Sequence, residues 1–214
     1  MLKKPLVALA MIVHATLAVA GDEAPTEPPD AAAEQTWNFS LTAYPTQVRG
    51  GDSFTSVVGI AERGPLHLEA RYNYEAVGAS SAFVGWNFSG GETLTWKLTP
   101  MLGGGWGDIH AVIPAVEAAV AWRALDFYVE AEYVHDKDEH SNSYTYAWSE
   151  LGLRPVEWLR FGIAAQRTRL YGGERDIHRG PFAQVTVKHV TLGVFCFNPG
   201  ADDQILVGSL NLAF

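Results

Sequence analysis

Cysteine is nearly absent from this chain: Cys196 stands alone among 214 residues. A single cysteine excludes an intramolecular disulfide framework, and its setting, GVFCFN, marks a small buried or lipid-facing residue rather than a reactive thiol. Charge is also scarce, at 18% of residues, and cations are scarcer: 15 Lys and Arg face 24 Asp and Glu, for a net charge of -9 with no basic block. That balance excludes recognition of nucleic-acid phosphates. A convincing amphipathic helix is missing as well. The nearest rival, HAVIPAVEAAVAWRAL, is interrupted by Pro114, and strand alternation accommodates its Glu117. With 48% hydrophobic and 12% aromatic residues, wholesale disorder is excluded too.

What is present begins with an export signal. MLKK supplies a positive n-region, PLVALAMIVHATLA an apolar core too short to span a membrane, and Ala18-Val19-Ala20 a small-residue cleavage site. The expected organisation is a cleaved signal peptide at 1–20, a flexible acidic and proline-rich periplasmic lead at 21–35, and one domain at 36–214.

From Trp37 onward the texture is uniform. Twelve alternating runs can be marked, at 36–46, 53–62, 66–75, 80–89, 93–102, 108–122, 125–134, 144–153, 157–170, 181–188, 190–198 and 204–214. Their connections alternate in character. ERGP, SGGE, WRAL, RPVE and KHV are tight, whereas QVRGGDS, EAVGASS, GGGWGD, HDKDEHSNS, YGGERDIHRG and NPGADD are longer and more polar. Short turns at one end and long loops at the other predict an all-β, antiparallel up-and-down transmembrane β-barrel of about twelve strands. Ten strands, or a soluble β-sandwich or lipocalin-like barrel, are the alternatives, since those also alternate.

Face assignment sharpens the choice. In DFYVEAEYV, Phe127, Val129, Ala131 and Tyr133 take one parity while Asp126, Tyr128, Glu130 and Glu132 take the other. In a strand these are opposite faces. A cation facing lipid at the bilayer midplane costs about 2–4 kcal/mol and an acid somewhat less, so the charged parity belongs inside the barrel. The same reasoning turns inward Glu69 and Arg71 on run three, Lys97 on run five, Glu117 on run six, Glu150 on run eight, Arg160 and Gln166 on run nine, and Lys188 on run ten. These ten residues are the candidates for lining a lumen and setting its selectivity. The wall formed by runs six to eight is mostly acidic.

The last run, ILVGSLNLAF, places Leu206, Gly208, Leu210, Leu212 and the terminal Phe214 on one face. It resembles the C-terminal strand signature of Gram-negative outer-membrane β-barrel proteins. The resemblance implies an outer-membrane location, contact with outer-membrane lipid and lipopolysaccharide, and recognition of Leu206, Leu210, Leu212 and Phe214 by the barrel-assembly machinery. The class contains twelve-stranded monomeric channels for sugars, sugar acids and nucleosides, so a monomeric, porin-like channel for a small hydrophilic solute is the leading expectation. A structural or interaction barrel with a closed, salt-bridged interior is the rival, and an outer-membrane lipid hydrolase stands further off.

The remaining motifs add little chemistry. His135, Asp136, His140 and Ser141 cluster in HDKDEHSNS, but within a long polar loop and without a G-x-S-x-G elbow. No EF-hand register or metal-ligand spacing occurs, and His110, His178 and His189 are scattered. MLGGGWGD lacks the lysine and serine or threonine of a phosphate-binding loop and reads as a flexible loop or a turn toward the pore mouth. No catalytic residue, metal or cofactor is expected.

Overall fold

Period-two alternation becomes pleated strand along almost the whole described chain, residues 36–214 of the computed structural model. The expected signal peptide and acidic lead lie outside the described residues. The strands are β1 (Asn38–Val48), β2 (Ser53–Arg63), β3 (Leu66–Tyr72), β4 (Ala79–Trp86), β5 (Phe88–Gly90), β6 (Leu94–Gly107), β7 (Ala111–Trp122), β8 (Leu125–Asp136), β9 (Tyr144–Val156), β10 (Leu159–Leu170), β11 (Arg175–Val187), β12 (Val190–Phe197) and β13 (Ile205–Ala213). β4 and β5 are two segments of one stave broken at Asn87, and both pair with β6. The sheet is therefore a ring of twelve antiparallel staves.

Closure comes from the ends of the domain. β1 pairs with β2 on one side and β13 on the other, with Ser40 opposite Ala213 and Val48 opposite Ile205. Phe39 N–H donates to the Phe214 carbonyl at 2.8 Å, Phe214 N–H donates back at 2.9 Å, and their rings stack at 5.9 Å. Among the described residues the ring is closed, as a membrane-spanning sheet requires, and only the three-residue β5 at the short-turn rim is paired on one side.

The outer face is apolar. Val84 and Leu102 (59% exposed each), Ile163 (62%) and Leu192 (56%) are far too exposed for the core of a soluble sandwich. Trp86, Trp96, Trp122, Trp158 and Phe214 ring the short-turn end, where an aromatic girdle meets the lipid interface. Leu206, Leu210 and Leu212 share this outer face. The barrel spans a membrane with strands.

Two local expectations need correction, and one run departs from strict alternation. The glycine-rich segment 101–107 is strand, the second half of β6, rather than a loop. Gly103 has no side chain because a Cβ there would overlap the Phe83 ring, and at Gly105 it would overlap Ile109. Lys188 does not line the interior: it sits exposed in the β11–β12 turn with φ 55°, so the alternation ends at Val187. Strict alternation along run three would turn Tyr74 to the lipid, yet Tyr74 and Glu75 are both buried, because Asn73 (φ 53°) ends β3 and breaks the period.

Candidate functional site

The inner face of the barrel is crowded and polar. One rung crosses five staves: Gln166 opposite Trp148, Trp148 opposite Glu130, Glu130 opposite Glu117, and Glu117 opposite Thr99. All five side chains are buried. The alternation that exposes Val129 and Ala131 to lipid is what aims Glu130 and Glu132 at the axis.

Arg71 occupies the middle of this interior. Its Nε donates to Glu69, Nη1 donates to Glu132 Oε2 at 2.9 Å, Nη2 lies 2.9 Å from Glu130 Oε1, and Nη1 lies 3.4 Å from Glu75 Oε1. The guanidinium carbon stands 4.3 Å from the ring centroids of both Tyr74 and Phe83, a cation–π arrangement. Arg71 and its four carboxylate partners have no exposed side-chain surface. Glu130 and Glu132 belong to β8, with three staves between them and Arg71, so this contact spans the lumen as a chord.

The β3–β4 connection reinforces the chord. The Tyr74 hydroxyl donates to Glu130 Oε2 at 2.7 Å, the Tyr144 hydroxyl to the Glu75 carbonyl at 2.6 Å, and Ser81 Oγ to Glu75 Oε1 at 2.6 Å. Carboxylates outnumber the arginine in this cluster, and their mutual repulsion offsets part of its attraction.

A polar track leads from the cluster to the short-turn mouth. His67 Nε2 lies 3.1 Å from Glu69 Oε2, and its Nδ1 lies 2.9 Å from Glu62 Oε1. Lys97 Nζ and Asn87 Nδ2 donate to the same Glu62 oxygen at 2.7 and 2.8 Å. Lys97 and Glu62 are the most exposed charges of this track, at 20% and 28%.

A second cluster lies along the opposite wall. Arg160 on β10 binds Asp126 on β8 through Nε at 2.9 Å and through Nη2, and binds Glu150 on β9 and Gln184 on β11 through Nη1, the latter at 2.9 Å. Trp148 Nε1 donates to Glu150 Oε1 at 2.9 Å, and the Arg160 guanidinium lies 4.7 Å from the Phe182 ring centroid. A Cβ on Gly152 would stand 2.6 Å from Asp126 Oδ1 and 2.7 Å from Arg160 Nε, so this pair depends on glycine there. Above it, Trp148, Phe182, Phe195 and Phe197 form an aromatic wall with centroids 5.0–5.4 Å apart between Trp148 and Phe195 or Phe197, and between Phe182 and Phe195.

Of the ten sequence candidates, the structure joins Glu69, Arg71, Glu130 and Glu132 in the first cluster and Glu150 with Arg160 in the second. Glu117 and Gln166 lie on the rung between them, Lys97 lies at the mouth, and Lys188 lies outside. Glu62, His67, Glu75, Tyr74, Asp126 and Gln184 complete the two clusters and were not among the candidates. Parity could have found Glu62, His67, Glu75, Asp126 and Gln184; nothing in the alternation points to Tyr74.

In the long loop, Ser141 Oγ donates to Glu139 Oε1 at 2.8 Å and His140 Nδ1 lies 3.4 Å from Ser143 Oγ. Among the described residues, no group of three or more His, Cys, Asp or Glu converges to hold a metal ion.

No protein-family model and no curated protein matches the sequence. Among solved structures, the fold is similar to KdgM porin in complex with disordered oligogalacturonate (TM-score 0.60, 7% identity) and to KdgM porin alone (TM-score 0.59, 8% identity). Each similarity covers 82% of this chain and 99% of the porin. At such identities the likeness is one of architecture: this is a closed twelve-stave barrel with the fold of these two porin structures. Its even strand number, lipid-facing band and aromatic girdle are those of an outer-membrane protein.

Proposed function

We propose that the chain is a narrow outer-membrane channel for small hydrophilic solutes, with the Arg71 chord as its constriction. One observation carries this reading: the interior holds buried polar atoms without a partner among the described residues. Glu117 Oε1, the Tyr128 hydroxyl and both polar atoms of the Gln166 amide make no hydrogen bond with a described residue. Each such group costs about 1–3 kcal/mol when left unpaired in a dry interior, and each gains when water or a hydrophilic solute enters. A purely structural filling would be better served by apolar side chains.

The solute class follows from charge. The similar porin is described with an oligogalacturonate, a polyanionic sugar acid. Here Glu69, Glu75, Glu130 and Glu132 surround one arginine, with Glu117 opposite Glu130 on the next stave, which supports a preference for neutral or cationic solutes. On this reading the interior residues Glu69, Arg71, Lys97, Glu117, Glu130, Glu132, Glu150, Arg160 and Gln166 set selectivity. The outward Leu206, Leu210, Leu212 and Phe214 serve recognition by the assembly machinery, and the barrel works as a monomer without enzymatic chemistry.

A closed, ion-paired barrel is the second reading, favoured by the complete burial of the Arg71 cluster. Conductance of the refolded protein in a planar bilayer separates the two. The channel reading expects small discrete openings, and Glu130→Lys with Glu132→Lys should shift ion preference toward anions. Silence from both wild type and Arg71→Ala establishes the closed barrel; an open pore with unchanged selectivity in the double variant removes these two residues from its lining.

A further inference from the structure

The outer face of β8–β11 breaks the rule that governs the rest of the exterior. Arg167, Arg169, Arg175 and Arg179 point outward and are exposed, toward the long-loop end of the barrel. None of the four guanidinium groups makes an ion pair or a side-chain hydrogen bond with a described residue, in a chain whose net charge is -9. Arg169 stands directly opposite Arg175 across the β10–β11 pair. Like charges in direct cross-strand register destabilise a sheet unless an anion joins them. Arg179 is four residues further along β11, but the rim descends with it: its N–H donates to Asn198 Oδ1 at 3.1 Å, where β12 has already ended in its loop.

Beside these arginines the outer surface is hollow. Three successive outward rungs run from small or aromatic residues to arginine: Tyr133–Thr145–Arg169–Arg175, Ala131–Ala147–Arg167, and Val129–Ser149–Ala165–Arg179. Two grooves result. One, of about 540 Å³, is lined by Val116, Ala131, Tyr133, Thr145, Ala147 and Arg167. The other, of about 420 Å³, is lined by Phe127, Ser149, Leu151, Ile163, Ala165 and Arg179. Each groove is mostly apolar, opens to the lipid side, and reaches a guanidinium.

We propose that this face is a binding site for a phosphorylated, multiply acylated lipid of the outer leaflet, the lipid A portion of lipopolysaccharide. Its acyl chains lie in the two grooves over Ala131, Ala147 and Ala165. Its phosphates sit among Arg167, Arg169, Arg175 and Arg179, where forked guanidinium donors take phosphate oxygens in pairs. Tyr133, His135, His140 and Tyr171 border the site as an aromatic file, with centroids 6.0, 5.5 and 4.2 Å apart along it. The level fits the outer leaflet, because longer loops mark the extracellular side. The site is external, so it stands whether or not the lumen conducts.

Native mass spectrometry of the refolded barrel with added bisphosphorylated lipid A tests the site. Wild type should retain the lipid, and enzymatic removal of its phosphates should weaken retention at least about tenfold. The triple variant Arg167→Ser, Arg169→Ser, Arg175→Ser should lose a similar factor. Ala147→Trp fills one groove while keeping all four charges, and should weaken lipid A as well; it is decisive if the triple variant fails to refold. Undiminished binding by the variant that folds overturns the proposal. So does equal retention of phosphatidylglycerol by the wild type, which would make the face a general anionic-lipid patch.

Discussion

Arg71 and Arg160 are both interior arginines stacked on aromatic rings, but they bind in different directions. Arg71 reaches across the lumen from β3 to Glu130 and Glu132 on β8 and is enclosed by four carboxylates with no exposed surface. Arg160 holds Asp126, Glu150 and Gln184 on staves within two of its own and keeps slight exposure, as does Asp126. A bond along the wall tightens the hoop of the barrel. A bond across the lumen also obstructs it, and its excess of carboxylates makes it the weaker-balanced of the two. On the proposed channel reading, gating falls to the chord and stapling to the wall pair.

The strongest way to break that comparison is Arg71→Ala. It leaves Glu69, Glu75, Glu130 and Glu132 facing one another and removes the cation over Tyr74 and Phe83. Stripping the cation from a buried pair costs about 3–5 kcal/mol, so the urea midpoint of the vesicle-inserted barrel should fall sharply. Conductance should rise, because the lumen loses its crossing side chain. A destabilised barrel that conducts no better would separate the chord from gating.

Arg160→Met is the control of intermediate size. Asp126 lies near the short-turn mouth and can turn toward water, and Glu150 keeps the Trp148 hydrogen bond. The expected loss is about 1–3 kcal/mol in the same unfolding measurement, with far less change in conductance than Arg71→Ala produces. Equal effects of the two variants on conductance would erase the distinction between chord and staple.

Much of this arrangement was legible in the residues. Glu130 and Glu132 alternate with Val129 and Ala131, which separates a polar face from an apolar one, and the breadth of the apolar face in every run favoured a lipid-facing barrel over a soluble sandwich. The same parity gave Arg160 and Glu150 their inward aim, the alternating runs gave the count of twelve, and the connection lengths gave the up-and-down order. Partnership was not legible. Which carboxylate meets Arg71 depends on the curvature that brings β3 opposite β8, and no local pattern encodes that. Nor could alternation anticipate Asn73 and Lys188, where a positive φ ends the strand and redirects the chain beyond it. The stretch from Gly103 to Gly107 misled for a related reason. Glycine usually signals a loop, but Gly103 and Gly105 make room for Phe83 and Ile109 within a paired strand.

The smallest expected effect tests the least legible part, the β3–β4 connection. Tyr74→Phe removes one hydroxyl, its 2.7 Å hydrogen bond to Glu130 Oε2, and nothing else of the ring that stacks on Arg71. Glu130 retains Arg71 Nη2 at 2.9 Å, so the chord persists and the stability loss should be about 1 kcal/mol. If the tyrosine only fills space, conductance will match wild type. If it ties the connection down over the chord, openings should become more frequent at unchanged single-channel conductance, because the passage keeps its width while its latch loosens. Opening frequency thus reads the latch separately from the pore, and an unchanged frequency would return Tyr74 to a packing role and leave Arg71 as the constriction by itself.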